Sequence, residues 1–102
     1  MAAYLVAGND VTDPESMQKY AEAVGPTLAG YDVKLIAPAP DKVATGGPVL
    51  HKEGDWKPSR VVILEFASME QLQDWYHSPG YQAIIDLRLN GSEGSLLFVD
   101  AD

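Results

Sequence analysis

The sequence predicts one α+β domain with the ferredoxin-like order βαββαβ, in which an antiparallel sheet carries the helical regions on one face. Four short runs of strand-forming residues alternate with two helical patterns in that order. The chain has 102 residues, the size of one domain, so we expect residues 1–102 to form a single unit. Apolar residues make up 46% of the sequence, enough to supply a packed core.

The first strand is predicted over residues 4–6, followed by a loop that leads into the first helix. Asp13 is the expected N-cap of that helix, with Pro14 at its first position. Thr12 and Glu15 offer an alternative start, because they have the spacing of a capping box. Both alternatives begin a helix at the same place.

The middle of the chain is predicted to contain a helix end, two strands and a long loop. Gly25-Pro26 predicts a kink or short break, because proline lacks the amide that an α-helix needs. Residues 33–37 are the second strand, and the proline-rich residues 38–48 are expected to form a surface loop. Residues 49–53 are expected to be extended, and residues 60–67 are the strongest strand of the chain.

The last third is predicted to hold a helical region in two segments, followed by a strand. Ser68 and Gln71 have capping-box spacing and begin the first segment. Ser78-Pro79 begins the second, since serine caps well and proline suits the first helical position. Asn90-Gly91 ends it, and residues 96–99 form the last strand.

Charge and composition exclude several functions. Seven Lys and Arg against 15 Asp and Glu give a net charge of −8, which repels nucleic acids and anionic membranes. The absence of cysteine excludes disulfides and thiolate catalysis. The N-terminal apolar stretch is too short for a signal peptide or membrane span, so we expect a cytoplasmic protein.

Alternation in the strands predicts a homodimer. Residues 61–66 place apolar side chains on both faces of the strand, and the first and last strands repeat the pattern. Two helices cover only one face, and leaving roughly six apolar side chains wet on the other would forfeit about 9 kcal/mol. We expect a second copy to cover that face. The alternative is a monomer whose proline-rich loop folds across the sheet.

Familiar catalytic and cofactor motifs are absent. His51 and His77 have no second ligand at a recognised spacing, so no metal site is expected. Gly46-Gly47 is not followed by a helix, which argues against a nucleotide-binding loop. The sequence contains no Gly-x-Ser-x-Gly elbow, which argues against a hydrolytic triad. We therefore expect no cofactor.

Aromatic and ionic residues around the break in the second helical region are the candidate site. Their apolar walls and polar tips could converge on a cavity against the sheet, although aromatic side chains at helical spacing also commonly form a core. The candidate ligand-binding residues are Trp75, Tyr76, Tyr81, Arg88 and Arg60.

Glu65 and His77 are the candidate proton-transfer residues. Glu65 lies in the middle of an apolar strand, where an unpaired carboxylate is costly. It needs either an ion pair, with Arg60, Arg88 or Lys34, or a role as a general acid or base in a half-buried pocket.

Two blocks of the sequence carry a family resemblance. They are Glu53-Gly54-Asp55-Trp56-Lys57-Pro58-Ser59-Arg60-Val61-Val62-Ile63-Leu64-Glu65-Phe66, and Trp75-Tyr76-His77-Ser78-Pro79-Gly80-Tyr81-Gln82 with Arg88. The chain resembles, nearly end to end, the bacterial family known as domain of unknown function 1330. The resemblance implies a dimeric α+β barrel, similar in shape to small antibiotic-biosynthesis monooxygenases and to haem-degrading and muconolactone-isomerase-like proteins. It implies no particular reaction.

The sequence departs from the family pattern in three places. Tyr31-Asp32-Val33 replaces a Tyr-Gly-Gly turn, so Asp32 is expected to adopt a left-handed conformation. The loop over residues 38–48 is longer than usual, and Gly80 replaces an acidic residue.

Three hypotheses about function follow. The first is a binding protein or minor metabolic enzyme for a small, partly apolar organic molecule, with Trp75, Tyr81 and Arg88 as wall and anion contact and Glu65 as ionisable group. The second is a cofactor-free oxygenase or isomerase that uses Glu65 or His77. The third is a dimeric scaffold without a ligand.

Overall fold

A computed structural model of the protein describes residues 2–39 and 49–101. In chain order the elements are β1 (Ala3–Val11), α1 (Pro14–Thr27), β2 (Val33–Ala37), β3 (Arg60–Phe66), α2 (Met69–Tyr76), α3 (Pro79–Gln82), α4 (Ile85–Gly91) and β4 (Ser92–Asp100). The four strands form one antiparallel sheet in the order β2-β3-β1-β4. The predicted ferredoxin-like fold is confirmed.

Strands β1 and β4 are longer than the sequence pattern predicted, because β1 pairs with both β3 and β4. The prediction ended β1 at Val6, because Gly8, Asn9 and Asp10 are poor strand formers. In the structure Gly8 and Asn9 are paired with β3 on one side and β4 on the other, and the β1–β4 pairing continues to Val11. Pairing on both sides outweighs the low intrinsic propensity of these residues.

Helix α1 begins at a side-chain cap and ends just after a proline. The Asp13 carboxylate accepts from the amides of Glu15 at 3.1 Å and Ser16 at 3.3 Å, so Asp13 is the N-cap, as the first alternative predicted. Pro26 lies one residue before the helix end, and the predicted break is therefore the end of the helix. Beyond it, Gly30 adopts a positive φ of 91°.

Residues 49–53 were expected to be extended, and in the structure they belong to no strand. One expectation in the middle of the chain is wrong. Asp32 does not adopt a left-handed conformation, because Gly30 already provides the turn and no described non-glycine residue has a positive φ. Of the predicted loop over residues 38–48, residues 40–48 lie outside the described residues.

The second helical region consists of three short helices. Ser68 caps α2 by accepting from the amide of Gln71 at 3.1 Å, while the Gln71 side chain accepts from the amide of Asp32 at 3.2 Å. Only half of the predicted capping box therefore forms. Ser78 caps α3 as predicted, accepting from the amide of Tyr81 at 3.3 Å. A further break separates α3 from α4, which ends at Gly91 as expected.

The helices pack on one face of the sheet, which we call the helix face. It carries Leu5, Ala7, Asn9, Arg60, Val62, Leu64, Phe66, Leu96 and Phe98. Trp75, Leu72 and Tyr81 from the helices complete its buried core. No helix within residues 2–39 and 49–101 has the length and apolar character needed to cross a membrane.

The opposite side of the sheet, which we call the open face, has no helix on it. It carries Tyr4, Val6, Val61, Ile63, Glu65, Leu97 and Val99. Leu97 and Val99 are 43% and 44% exposed. The two-sided apolar sheet predicted from the sequence is present.

Candidate functional site

A cavity of about 60 Å³ lies between the helix face and the helices. Helix α1 supplies one wall, the strands supply the floor, and α2 and α4 each contribute one residue. The lining residues are Leu5, Ala7, Asn9, Met17, Tyr20, Val24, Leu28, Arg60, Val62, Leu64, Trp75, Arg88 and Leu96.

The sheet register makes this cavity polar at one end and apolar at the other. Asn9 lies opposite Arg60 across the β1–β3 pair, and Leu5 lies opposite Leu64. The two pairs are four residues apart along β1, which corresponds to about 13 Å of strand. Ala7 lies between them on the same face because side chains alternate along a strand. The floor therefore changes from amide and guanidinium to hydrocarbon.

The polar end contains two arginines and two tyrosines. Arg60 and Arg88 are only 4% and 8% exposed. The Arg88 Nε donates a hydrogen bond to the Tyr81 hydroxyl at 3.2 Å, and the hydroxyls of Tyr81 and Tyr20 are 3.0 Å apart. These bonds link α4, α3 and α1 and hold the Arg88 guanidinium in a defined position.

Burial governs the ionisation of this cluster. Loss of hydration lowers the pKa of the Arg60 guanidinium, an effect that the neighbouring Tyr20 hydroxyl opposes. Loss of hydration raises the pKa of the Tyr20 hydroxyl far above its usual range, and the adjacent Tyr81 hydroxyl reinforces this shift. Tyr20 therefore remains a neutral hydroxyl at physiological pH and can donate a hydrogen bond.

Trp75 belongs to both the core and the cavity wall. Its ring centroid is 4.2 Å from that of Tyr81 and 5.5 Å from that of Phe66, and its indole Nε1 donates to Thr27 Oγ1 at 3.0 Å. These contacts fix the ring, while the same residue lines the cavity. The core and pocket interpretations of this residue are thus compatible.

The structure brings some of the predicted ligand-binding residues together. Trp75, Arg60 and Arg88 line the cavity. Tyr81 lies behind the lining and contacts the cavity through Arg88 and Tyr20. Tyr76 lies further away, with its ring 5.5 Å from that of Tyr81.

Glu65 and His77 are not brought to this cavity within one chain. Glu65 lies on the open face, where it accepts a hydrogen bond from the Tyr4 hydroxyl at 2.8 Å. Among the described residues, Glu65 forms none of the expected ion pairs with Arg60, Arg88 or Lys34. Both arginines are on the other side of the sheet, whereas Lys34 lies opposite Glu65 across the β2–β3 pair. His77 is exposed at the C-terminal end of α2, where its ring lies edge-on to Tyr76.

Sequence reasoning missed three residues of the site. Asn9 was assigned to a loop, although it continues the odd-numbered alternation of Leu5 and Ala7 on β1. Tyr20 and Met17 were not singled out as site residues. The approach of Tyr20 to Tyr81, 61 residues later, has no signal in the local sequence.

Possible metal ligands do not cluster. Among the described residues, no group of three His, Asp or Glu side chains has an arrangement that could hold a metal ion.

Both sequence blocks that carry the family resemblance contribute to this cavity, through Arg60 from the first and Trp75 from the second. The chain belongs to the DUF1330 family, a domain of unknown function. The match covers residues 2–102, so the resemblance predicted from the sequence is confirmed. No curated protein sequence matches the chain.

Three crystal structures share the fold. The methylated RPA0582 protein is 15% identical with a TM-score of 0.71, and the match covers 99% of this chain and 81% of that one. SnoaB, a cofactor-independent oxygenase from Streptomyces nogalater, is 8% identical with a TM-score of 0.61, covering 99% and 93%. A conserved protein from Methanosarcina mazei Go1 is 16% identical with a TM-score of 0.59, covering 100% and 94%. At these identities the likeness shows the fold alone.

Proposed function

We propose that this DUF1330 protein binds a small, partly apolar organic molecule in the cavity between the sheet and the helices. The observation that carries the proposal is the composition of the cavity, which combines a hydrocarbon and indole wall with a hydrogen-bonded cluster at one end. Ligand sites typically have this makeup, in which apolar walls supply affinity and a few placed polar groups supply orientation.

The size of the cavity limits what enters without rearrangement. Its volume is about 60 Å³, whereas an apolar cavity that accepts benzene measures roughly 150 Å³. A ligand as large as benzene therefore has to displace side chains of α1, such as Tyr20 or Val24. We expect the cavity to widen on binding.

A thermal-shift screen of a metabolite library tests the proposal. A ligand present at 100 times its dissociation constant stabilises the native state by about 2.7 kcal/mol, which raises the melting temperature measurably. Ala7→Leu fills the middle of the cavity and should abolish the shift. Ala29→Leu, at an exposed position just beyond α1, is the matched control and should retain it.

A library in which no compound raises the melting temperature would contradict ligand binding. That result would favour the third hypothesis, a scaffold without a ligand.

The enzyme hypothesis is the second candidate, and the fold shared with the cofactor-independent oxygenase SnoaB favours it. Fold similarity supports a reaction only by association. In this hypothesis Glu65 or His77 moves a proton, although neither lines the cavity within one chain. Oxygen consumption with a ligand from the screen is the direct test. Catalysis through Glu65 predicts that Glu65→Gln folds normally and loses turnover, whereas simple binding predicts no turnover in either protein.

We also propose that the protein is a homodimer whose subunits meet through the open face. Leu97 and Val99 are 43% and 44% exposed on the same side of one sheet. A second copy that packs the same face would bury them through an isologous two-fold contact. Sedimentation at micromolar concentration should therefore give twice the chain mass of 11.0 kDa. A single species of 11.0 kDa would refute the dimer.

A further inference from the structure

We infer that the ligand of this cavity is an organic carboxylate, with its charged group beside Arg88 and Arg60 and its apolar body along Ala7 and Leu5. The inference rests on the proposed function and specifies the class of ligand.

The described lining of the cavity carries positive charge. Two of its 13 described residues are arginines, and none of these 13 is acidic. The whole chain, by contrast, has 15 acidic and seven basic side chains and a net charge of −8. The described lining thus has cationic side chains in a chain that is acidic as a whole, and low-dielectric walls strengthen the attraction of Arg88 for an anion.

The buried Arg88 guanidinium has few partners among the described residues. Within that part of the chain, it makes one hydrogen bond, from Nε to Tyr81, and takes part in no ion pair. Arg88 is only 8% exposed. A buried cation without a counter-ion is costly, and a carboxylate that accepts from the terminal nitrogens would offset that cost.

The Arg88 guanidinium is held by its hydrogen bond to the Tyr81 hydroxyl. This bond uses Nε, and among the described residues no hydrogen bond uses the two terminal nitrogens. Tyr20 lies 3.0 Å from the same hydroxyl and itself lines the cavity. A fixed planar fork of donors suits a carboxylate better than a single point charge does.

The apolar part of the cavity favours an organic carboxylate over an inorganic anion. Beyond the arginines the floor is hydrocarbon as far as Leu5 and Leu64, and Trp75 lines the same space. Phosphate or sulfate would leave this part of the cavity without a partner. A short aliphatic chain or one aromatic ring would gain from its burial.

Paired probes on the wild-type protein test the inference. Butyrate, hexanoate and benzoate are compared with butyramide, hexanamide and benzamide by calorimetry and thermal shift at pH 7, with inorganic phosphate as an anion that has no apolar body. Each amide keeps the shape of its acid and removes the charge. At least one carboxylate should bind about tenfold or more tightly than its amide, as expected for a charged hydrogen bond. Phosphate should bind more weakly than that carboxylate.

A charge-removing variant locates the effect. Arg88→Met keeps an unbranched apolar stem, removes the charge, and should abolish the preference for acid over amide. Lys57→Met removes an exposed cation outside the cavity and should leave the preference unchanged. Circular dichroism verifies that each variant is folded, and the comparison of acid with amide in the wild type stands without either variant.

Each alternative outcome has a distinct meaning. Equal binding of acids and amides, binding of amides alone, or phosphate binding as tightly as the best carboxylate would overturn the carboxylate inference. Failure of every paired probe would overturn it too. If the carboxylate inference failed but a neutral library compound raised the melting temperature, the proposed function would still stand. If no library compound and no paired probe raised the melting temperature, the proposed function and the carboxylate inference would both be refuted.

Discussion

The two faces of the sheet are built from similar residues but are completed in different ways. On β3, Val62 and Leu64 are directed to the helix face, and Val61 and Ile63 to the open face. Helices cover the first pair, whereas the second lies on the same face as Leu97, which is on β4 and is 43% exposed. Side-chain alternation makes both faces of the sheet apolar. The packing of the helices decides which of the two faces is buried within one chain.

The polar residues on the two faces also differ in sign. The helix face carries Arg60 at one end, near Arg88 from α4. The open face carries Glu65, paired with the Tyr4 hydroxyl at 2.8 Å. A sheet only one residue thick thus separates buried cations from a half-buried carboxylate. The proposed ligand site and the proposed subunit contact therefore lie on sides of the sheet that carry charges of opposite sign.

The largest effect expected on the helix face is that of Trp75→Ala. Removing a fully buried indole that packs on Phe66 and Tyr81 should reduce the free energy of unfolding by about 3–5 kcal/mol. Urea unfolding followed by circular dichroism measures the loss. Trp56→Ala, at a tryptophan that is 50% exposed, is the control and should cost clearly less. Equal losses of unfolding free energy would show that the burial of Trp75 does not set its contribution to stability.

On the open face, Leu97→Lys should weaken the proposed dimer. The substitution occurs once in each subunit, so the two-fold contact loses about 3 kcal/mol of apolar burial, or about a hundredfold in dissociation constant. Sedimentation equilibrium measures the change. Leu89→Lys, at a leucine that is 55% exposed on α4, should leave the mass unchanged. If both variants or neither shifted the mass, the open face would not be the contact.

A smaller effect is expected for Ser78→Ala in the helical layer. The Ser78 hydroxyl caps α3 at Tyr81 and donates to the carbonyl of Trp75 at 2.6 Å. Loss of a helix cap costs about 1 kcal/mol. Ser95→Ala, at an exposed position of β4, provides the comparison in chemical denaturation and should be close to neutral. A neutral Ser78→Ala would mean that α3 is held by packing alone.

The smallest effect is the pH dependence that comes from Asp10 on the open-face side of β1. Hydrogen bonds from the side chain and backbone of Ser59 lower the pKa of the Asp10 carboxyl. Because the folded-state pKa lies below the unfolded value of about 3.9, the stabilisation is present above that value. It is lost as the pH falls through the folded-state pKa.

Melting temperatures measured from pH 6 downward test this effect. Asp10→Asn should show a shallower fall at acid pH than the wild type, whereas Asp86→Asn, on α4, should follow the wild type. Identical melting-temperature profiles for Asp10→Asn and the wild type at acid pH would show that Asp10 does not contribute to the pH dependence of stability.

Much of the fold could be predicted because its signals are local. The caps at Asp13, Ser68 and Ser78 are each set by one side chain and the amides two or three residues later. The ends of β1 and β4 were predicted too short, because their extra residues are held by each other and not by their own propensity.

The candidate site was predicted only in part, for the same reason. Trp75 and Arg88 could be singled out because they flank a break in a helical pattern. The roles of Asn9 and Tyr20 depend on contacts with residues far along the chain, which no local pattern contains. Glu65 could be recognised as unusual in its strand, but its partner Tyr4 and its face depend on strand pairing.

The sequence by itself determined the element order, the helix starts and the presence of two apolar sides to one sheet, because turns, caps and alternation act over a few residues. Only the tertiary structure decided which side the helices cover. That choice placed Arg60 and Arg88 inside the protein and left Glu65 outside the cavity. The physical reason is that a strand offers both faces equally, and only packing against the rest of the chain makes them different.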